Sequence, residues 1–355
     1  MSPLPKPPSD AATDAAIEAA LAAKTMPPGA LGRIGDLACR LARMQGTLAP
    51  VIEAPALAVF CADHGIARQG VSAYPQDVTW QMVLNLLAGG AAAAVFARSA
   101  GLSLTVVDVG VAHDFDASAR AHPAFVDAKA ARGTADCTQG AAMTRAQCEA
   151  AMAAGARVAA ASAGNVLALG EVGIGNTSAA ALLTAHFTGA SLAACVGRGT
   201  GLDDAGLARK QAVLERAFAL HAPARRSGEP LDALAALGGL EIAAMAGAAL
   251  EAARLGRVVV VDGFVATAAV LAARAIDPAV LDACVLSHRS AEHGHAVAIE
   301  SLCDGGRLPP PLLALDMRLG EGTGAALAVP LLRCAADMLR EMATFASAGV
   351  AQASS

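Results

Sequence analysis

The chain has 355 residues, a formal net charge of −5 and a composition that is 55% hydrophobic but only 3% aromatic. That length supports one large α/β domain or two modest ones with ample apolar material for a core. The mild negative charge, with no Lys/Arg stripe, excludes nucleic acid and membrane surfaces from the expected partners, and the small apolar residues suit helices packed on a parallel sheet, not a β-sandwich.

Residues 1–10 (MSPLPKPPSD) and 346–355 (ASAGVAQASS) read as loose termini, and the first lacks the apolar core of a signal peptide. Helices are predicted over Asp14–Lys24 and Ile34–Arg43, joined by the turn TMPPGALGR. A pattern then repeats: a short β-rich run, glycine and polar residues, and an Ala/Leu-rich helix. The runs are Ala56–Cys61, Leu104–Val109, Val166–Leu169, Val258–Val261, Cys284–Leu286 and Leu312–Leu315. Nearly continuous apolar strands alternating with helices predict an α/β fold whose parallel sheet is covered on both faces. Residues 112–141 are more polar and read as an excursion, and 221–230 (HAPARRSGEP) as a loop between helices. The eight cysteines are scattered without a C-x-x-C pair. No disulfide framework is expected, and the cytoplasm is the expected location. Charges or glycines interrupt the apolar stretches before they reach membrane-spanning length.

Polar motifs follow the strands: ADHG (62–65), DVGV (108–111), GEVGIGNT (170–177), DGF (262–264), SHRSAE (287–292) and RLGEGTG (318–324). Open α/β sheets bind ligands beyond the carboxyl ends of their strands, so these six predict one shared pocket. GIGNT supplies Gly173, Gly175, Asn176 and Thr177; GRGTG (197–201) supplies Arg198, Gly199, Thr200 and Gly201. Glycine lets backbone N–H groups converge on an anion, a following helix adds its positive end, and Lys210 offers a counter-charge. The same glycines also serve as the ordinary turns of an α/β protein. Neither stretch fits G-x-G-x-x-G or G-x-x-x-x-G-K-[ST], which argues against a dinucleotide oxidoreductase or a P-loop.

In SHRSAEHGH (287–295), Ser287, Ser290 and their backbone read either as an anion-binding turn or as a capped helix start at Ser290. His293 and His295 stand two apart and diverge on a helix, so no metal pair is expected. No G-x-S-x-G elbow is present to support a serine hydrolase. The stretch 62–82 carries Ser72, Gln81 and the single tyrosine, Tyr74, around one long loop. That loop suits a flat aromatic ligand, or is a plain surface loop. Four carboxylates sit at strand ends: Asp108, Glu171, Asp262 and Glu321. Each alone reads as a helix-start acid favoured by the dipole. Glu321 is singular in standing between two glycines, at a turn otherwise stripped of side chains.

The motifs DHGI, GVSAYP, VTWQM, EVGIGNTSAAA, GRGTGLDD, LGGLEIAAMAGA, DGFVATAA, SHRSAE and RLGEGTGAAL, in this order, resemble those of the nicotinate-nucleotide–dimethylbenzimidazole phosphoribosyltransferases. The resemblance covers roughly residues 24–345, with His293 where the family pattern has a proline. It implies a Rossmann-like parallel sheet in a large catalytic domain, 51–330, and a small helical domain from both chain ends, 1–50 and 331–355. It further implies a homodimer acting on small molecules without metal or cofactor, in the synthesis of the lower ligand of cobalamin. The implied reaction moves phosphoribose from nicotinate mononucleotide to 5,6-dimethylbenzimidazole, releasing nicotinate. By position in RLGEGTG, Glu321 matches the family's catalytic base.

The residues then take chemical roles. Glu321 is expected to accept the proton of the attacking base, and Glu171 or Asp262 to face an oxocarbenium-like ribose. Ser72, Tyr74, Gln81 and Leu319 are expected around the base. The two glycine turns, Lys210, Gly263, Ser287 and Ser290 are expected around the nucleotide. A non-catalytic nucleotide sensor is the remaining alternative, separated from the enzyme by turnover.

Overall fold

A computed structural model describes residues 11–351 of the chain. Its apolar runs form β1 (Ala56–Ala62), β2 (Ser103–Gly110), β3 (Phe125–Asp127), β4 (Val166–Val172), β5 (Val258–Val261) and β6 (Cys284–Leu286). These make one six-stranded parallel sheet in the order β3-β2-β1-β4-β5-β6. All seven residues of β1 and all four valines of β5 are buried, because helices cover both faces. Alternation along each strand divides the core in two. Leu57, Val59, Cys61, Val258 and Val260 pack with helices Arg33–Gln45, Ala92–Ala100 and Thr323–Glu341. Ala58, Phe60, Leu167, Leu169, Val259 and Val261 pack with Arg145–Ala161, Asn176–Thr188, Leu240–Arg254 and Phe264–Ile276.

Helices Arg145–Ala161 and Leu240–Arg254 press together backbone to backbone. A Cβ on Gly155 would strike the Ala244 carbonyl, and one on Gly247 the Met152 carbonyl. The scarcity of large side chains thus sets the layer spacing. Sequential strands leave β1 on one side for β2 and on the other for β4, and the crevice at that switch point is where such sheets bind ligands.

Three strand expectations need correction. Leu312–Leu315 contributes only β8 (Leu313–Ala314), paired in parallel with β7 (His288–Arg289) in a separate two-stranded ribbon. Three prolines, Pro309 to Pro311, precede it, and they have no N–H to extend a ladder. The polar stretch 112–141 contains the edge strand β3. The third predicted strand runs on to Val172, which puts Glu171 inside β4. Within the expected loop 221–230 lies a short helix, Ala222–Arg226, and the first turn of SHRSAEHGH stays extended, its helix starting only at His295.

The segments near the two ends of the described residues meet. Lys24 Nζ donates to the Met342 carbonyl at 2.7 Å, and Phe345 N–H to the Ala23 carbonyl at 3.0 Å. Helix Arg33–Gln45 lies along Thr323–Glu341, which runs unbroken through residue 330, the end of the catalytic domain that the resemblance implies. Part of the expected loose terminus is ordered as helix Phe345–Ala348; residues 1–10 and 352–355 lie outside the described residues.

Candidate active site

Beyond the carboxyl ends of β4, β5 and β6 opens a cavity of about 460 Å3. Glu171, Asn176, Thr177, His288, Ser290 and Glu321 line it, with Met82, Tyr74 and Leu319 toward solvent. Tyr74 and Leu319 are 55% and 57% exposed and form an apolar rim.

The turn carrying Glu321 is strained. Gly320, Glu321 and Gly322 have φ of +83°, +62° and +84°. Glycine adopts this region freely, whereas a side chain there costs about 1–2 kcal/mol. The flanking glycines are required by contact as well: a Cβ on Gly320 would strike Glu171 Oε1, and one on Gly322 would strike Leu57. Asp262 anchors the turn from below. Its Oδ2 accepts the Gly322 N–H at 3.2 Å and its Oδ1 the Ala325 N–H at 2.9 Å, capping helix Thr323–Glu341.

The Glu321 carboxyl is buried, and its Oε2 has no hydrogen-bond partner among the described residues. Burial raises its pKa above the ordinary 4.5, an Ala93 N–H opposes this, and the charge of Asp262 adds to the rise. Glu171 is pushed up further, by burial first and then by the charges of Asp262, Glu241 and Glu321, although Asn176 Nδ2 donates to its Oε2. The cavity floor therefore holds two carboxyls with a raised affinity for protons, one of them with a free oxygen.

A family model described as phosphoribosyltransferase matches residues 6–350. A Variovorax paradoxus protein named nicotinate-nucleotide–dimethylbenzimidazole phosphoribosyltransferase is 54% identical over 343 residues, 97% of this chain and 95% of that protein. The chain belongs to that family. It is an enzyme, a phosphoribosyltransferase. A relative of the same name from Ralstonia nicotianae is 54% identical over 346 residues, 97% of this chain and 95% of that protein. The crystal structure of the Thermus thermophilus protein so named superposes with a TM-score of 0.89 at 43% identity, over 97% of this chain and all of that one.

Among the four strand-end carboxylates, this phosphoribosyltransferase brings only Glu171 and Glu321 to the cavity. Asp108 is occupied elsewhere, 2.7 Å from Lys129 Nζ and accepting the Val111 N–H. Asp262 lies behind the Glu321 turn, its oxygens committed to backbone, and so holds the site without facing it. Ser287 is buried behind it, donating to the Asp262 carbonyl at 3.3 Å. Gly263 and Ser290 do reach the cavity.

The glycine turns split. Gly173, Asn176, Thr177 and Thr200 line the cavity. Gly175, at φ +99°, sets the start of helix Asn176–Thr188, whose first turn has no acidic residue. Arg198 turns away to bond Asp204 and the Leu202 carbonyl, and with Gly201 it lines a neighbouring cavity of about 890 Å3 that shares Glu292 and Arg318 with the first. Lys210 is fully buried behind Thr177 and Gly199; its Nζ donates to Thr177 Oγ1 at 2.9 Å. Burial lowers its pKa to about 8, against the pull of Glu292.

Loops close the cavity by cross-bonds. Ser72 Oγ and Thr200 Oγ1 are 3.0 Å apart, and Arg318 Nη1 donates to the Gly199 carbonyl at 3.2 Å. Helix Val78–Leu87 presents Val78, Thr79 and Met82 inward, leaving Gln81 exposed and outside the lining. One helical face holds positions four apart, and Gln81 is off that face. Sequence reading also missed Phe264, Arg318, His288 and Glu292. All four stand in quoted motifs, DGF, RLGEGTG and SHRSAE, but only tertiary placement separates them from their neighbours. Among the described residues, no group of three or more His, Cys, Asp or Glu side chains is arranged to hold a metal ion.

Behind the GIGNT turn, His64 Nε2 is 2.7 Å from Glu241 Oε1, both side chains buried. Burial works to lower the His64 pKa, but the charge and hydrogen bond of Glu241 outweigh it and hold it above the ordinary 6.5. This pair supports the turn from beneath: a Cβ on Gly175 would press on the His64 side chain, while one on Gly173 would strike the Ala62 carbonyl.

Proposed function

We propose that this chain transfers phosphoribose from nicotinate mononucleotide to 5,6-dimethylbenzimidazole, giving α-ribazole 5′-phosphate and nicotinate. The names of the relatives support the substrate pair. The observation that carries the chemistry is the unpartnered, buried Oε2 of Glu321 on a strained turn at the cavity.

One benzimidazole nitrogen attacks the anomeric carbon with its lone pair as the C–N bond to the pyridinium breaks. The bonding electrons neutralise the departing nicotinate, so the leaving group needs no acid. Attack makes the benzimidazole cationic and its remaining N–H acidic. Glu321 takes that proton, and burial, by raising its pKa above the ordinary 4.5, makes it the stronger base for that transfer. A β-linked donor becomes an α-linked product, so one displacement with inversion suffices without a covalent intermediate. Glu171, held by Asn176, faces the ribose as charge develops on it. The 5′-phosphate takes the GIGNT turn and the positive end of helix Asn176–Thr188, with the Lys210 ammonium behind Thr177 adding attraction. Tyr74, Met82 and Leu319 form the apolar wall for the base. The dimeric and cytoplasmic parts of the reading rest on the family resemblance and on eight free cysteines.

The test is mass spectrometry and NMR of the product from nicotinate mononucleotide and competing bases. An α-anomeric nucleotide of dimethylbenzimidazole with equimolar nicotinate is the expected result; a β-anomer, or nicotinate released without a nucleotide product, overturns it.

A further inference from the structure

His288 sits at the cavity with unused bonding capacity. It is 2% exposed, lines the cavity beside Gly263 and Ser290, and neither ring nitrogen has a hydrogen-bond partner among the described residues. Buried polar groups in native proteins almost always have partners. Its surroundings cannot supply one. Asp262 Oδ1 is 3.7 Å from Nε2, beyond hydrogen-bond length, and both Asp262 oxygens already accept backbone N–H groups. His295 is committed too. Its Nδ1 accepts the Ser290 N–H at 2.9 Å, which leaves the ring proton on Nε2, 3.0 Å from Thr267 Oγ1; that hydroxyl donates to the Gly263 carbonyl. The ring is also held in place, because Gly324 leaves it room that any Cβ would fill.

We infer that His288 is a binding residue that donates an N–H to an anionic oxygen of the donor nucleotide. Both the neutral and the protonated imidazole carry at least one N–H. Among the described residues no acceptor takes that bond, which leaves it for a ligand in the cavity. The inference rests on the donor-nucleotide reading above. Nicotinate mononucleotide carries two anionic groups, the pyridine carboxylate and the 5′-phosphate, and the experiment separates them.

The full chain and its His288→Leu and His288→Gln variants are compared by kcat/KM with three donors at saturating dimethylbenzimidazole. The donors are nicotinate mononucleotide, nicotinamide mononucleotide and nicotinate riboside. His288→Leu is expected to lose roughly 10- to 100-fold with nicotinate mononucleotide, the span for a hydrogen bond to a charged group. That loss should shrink toward unity with whichever analogue lacks the contacted group, and His288→Gln, which keeps an N–H, should recover part of it. The KM for dimethylbenzimidazole should not move. The same loss with all three donors would mean a packing role and overturn the inference alone. Turnover of none of the donors by wild type would overturn the donor reading and the inference together. Should His288→Leu fail to fold, imidazole 15N NMR of the wild type decides: the His288 signals must shift with nicotinate mononucleotide and less with one analogue, and unchanged signals overturn the inference.

Discussion

Asp262→Ala probes the support of the Glu321 turn. Asp262 accepts the Gly322 and Ala325 N–H groups at 3.2 and 2.9 Å, and between them stands a turn whose Glu321 has a φ of +62°. Removing the carboxylate deletes a helix cap, which costs about 0.5–2 kcal/mol, and leaves buried N–H groups unpaired at about 1–3 kcal/mol. Relief acts in the other direction, since burial raises the Asp262 pKa and the variant no longer carries a buried acid. The net loss of stability should then be about 1–3 kcal/mol, and a differential scan should show it as a lowered Tm. Turnover should fall more steeply. Released from its anchor, a left-handed glutamate relaxes, and a displacement of about 1 Å at a reacting group costs on the order of 10²-fold. Asp262→Asn keeps one acceptor oxygen and should fall between. The assay is kcat at saturating substrates beside Tm for all three proteins. An Asp262→Ala enzyme that melts lower but turns over within a factor of a few of wild type would refute the idea that this carboxylate positions Glu321.

Lys210→Ala should raise the KM for nicotinate mononucleotide roughly 10- to 100-fold, as for a hydrogen bond to a charged group, and leave that for the base nearly unchanged; nicotinate riboside should be indifferent to the change in steady-state assays. Glu171→Gln should alter the pH dependence of stability. Glu171 has a folded pKa raised above its unfolded 4.5, so its contribution is fully present below pH 4.5 and is lost as pH rises through the folded value. Relative to wild type the variant should gain up to about 1.4 kcal/mol per pH unit across that window, and a difference independent of pH in urea titrations would contradict the raised pKa.

Much of this was written in the sequence. Runs of buried β-branched residues such as the four valines of β5 have one reading, and the polar motifs behind them marked the binding edge of the sheet. Other elements were not legible for physical reasons. β3 is three residues in a polar segment and exists because β2 offers an edge. Leu312–Leu315 has the composition of a core strand, yet its preceding prolines direct it to β7. At the site, the glycines around Glu321 marked a turn stripped of side chains but did not reveal its left-handed backbone. Side-chain direction was the main loss. Asp262 and Glu321 look alike as strand-end acids, and only the packing of helix Thr323–Glu341 turns one to the backbone and the other to the cavity. Gln81 and Met82 are neighbours in sequence, and helical phase alone separates them.

The central claim, that Glu321 is the general base, is tested most directly by single-turnover kinetics of Glu321→Gln with nicotinate mononucleotide and dimethylbenzimidazole. The amide keeps size and hydrogen bonding but has no basicity. The account expects a folded protein that binds the donor normally, with the chemical step slowed by roughly 10²–10⁴-fold, the span of general base catalysis. In wild type that step should fall in acid, along a limb above pH 4.5 because burial raises the Glu321 pKa. A Glu321→Gln enzyme whose chemical step stays within a factor of a few of wild type, with the acid limb intact, would contradict it.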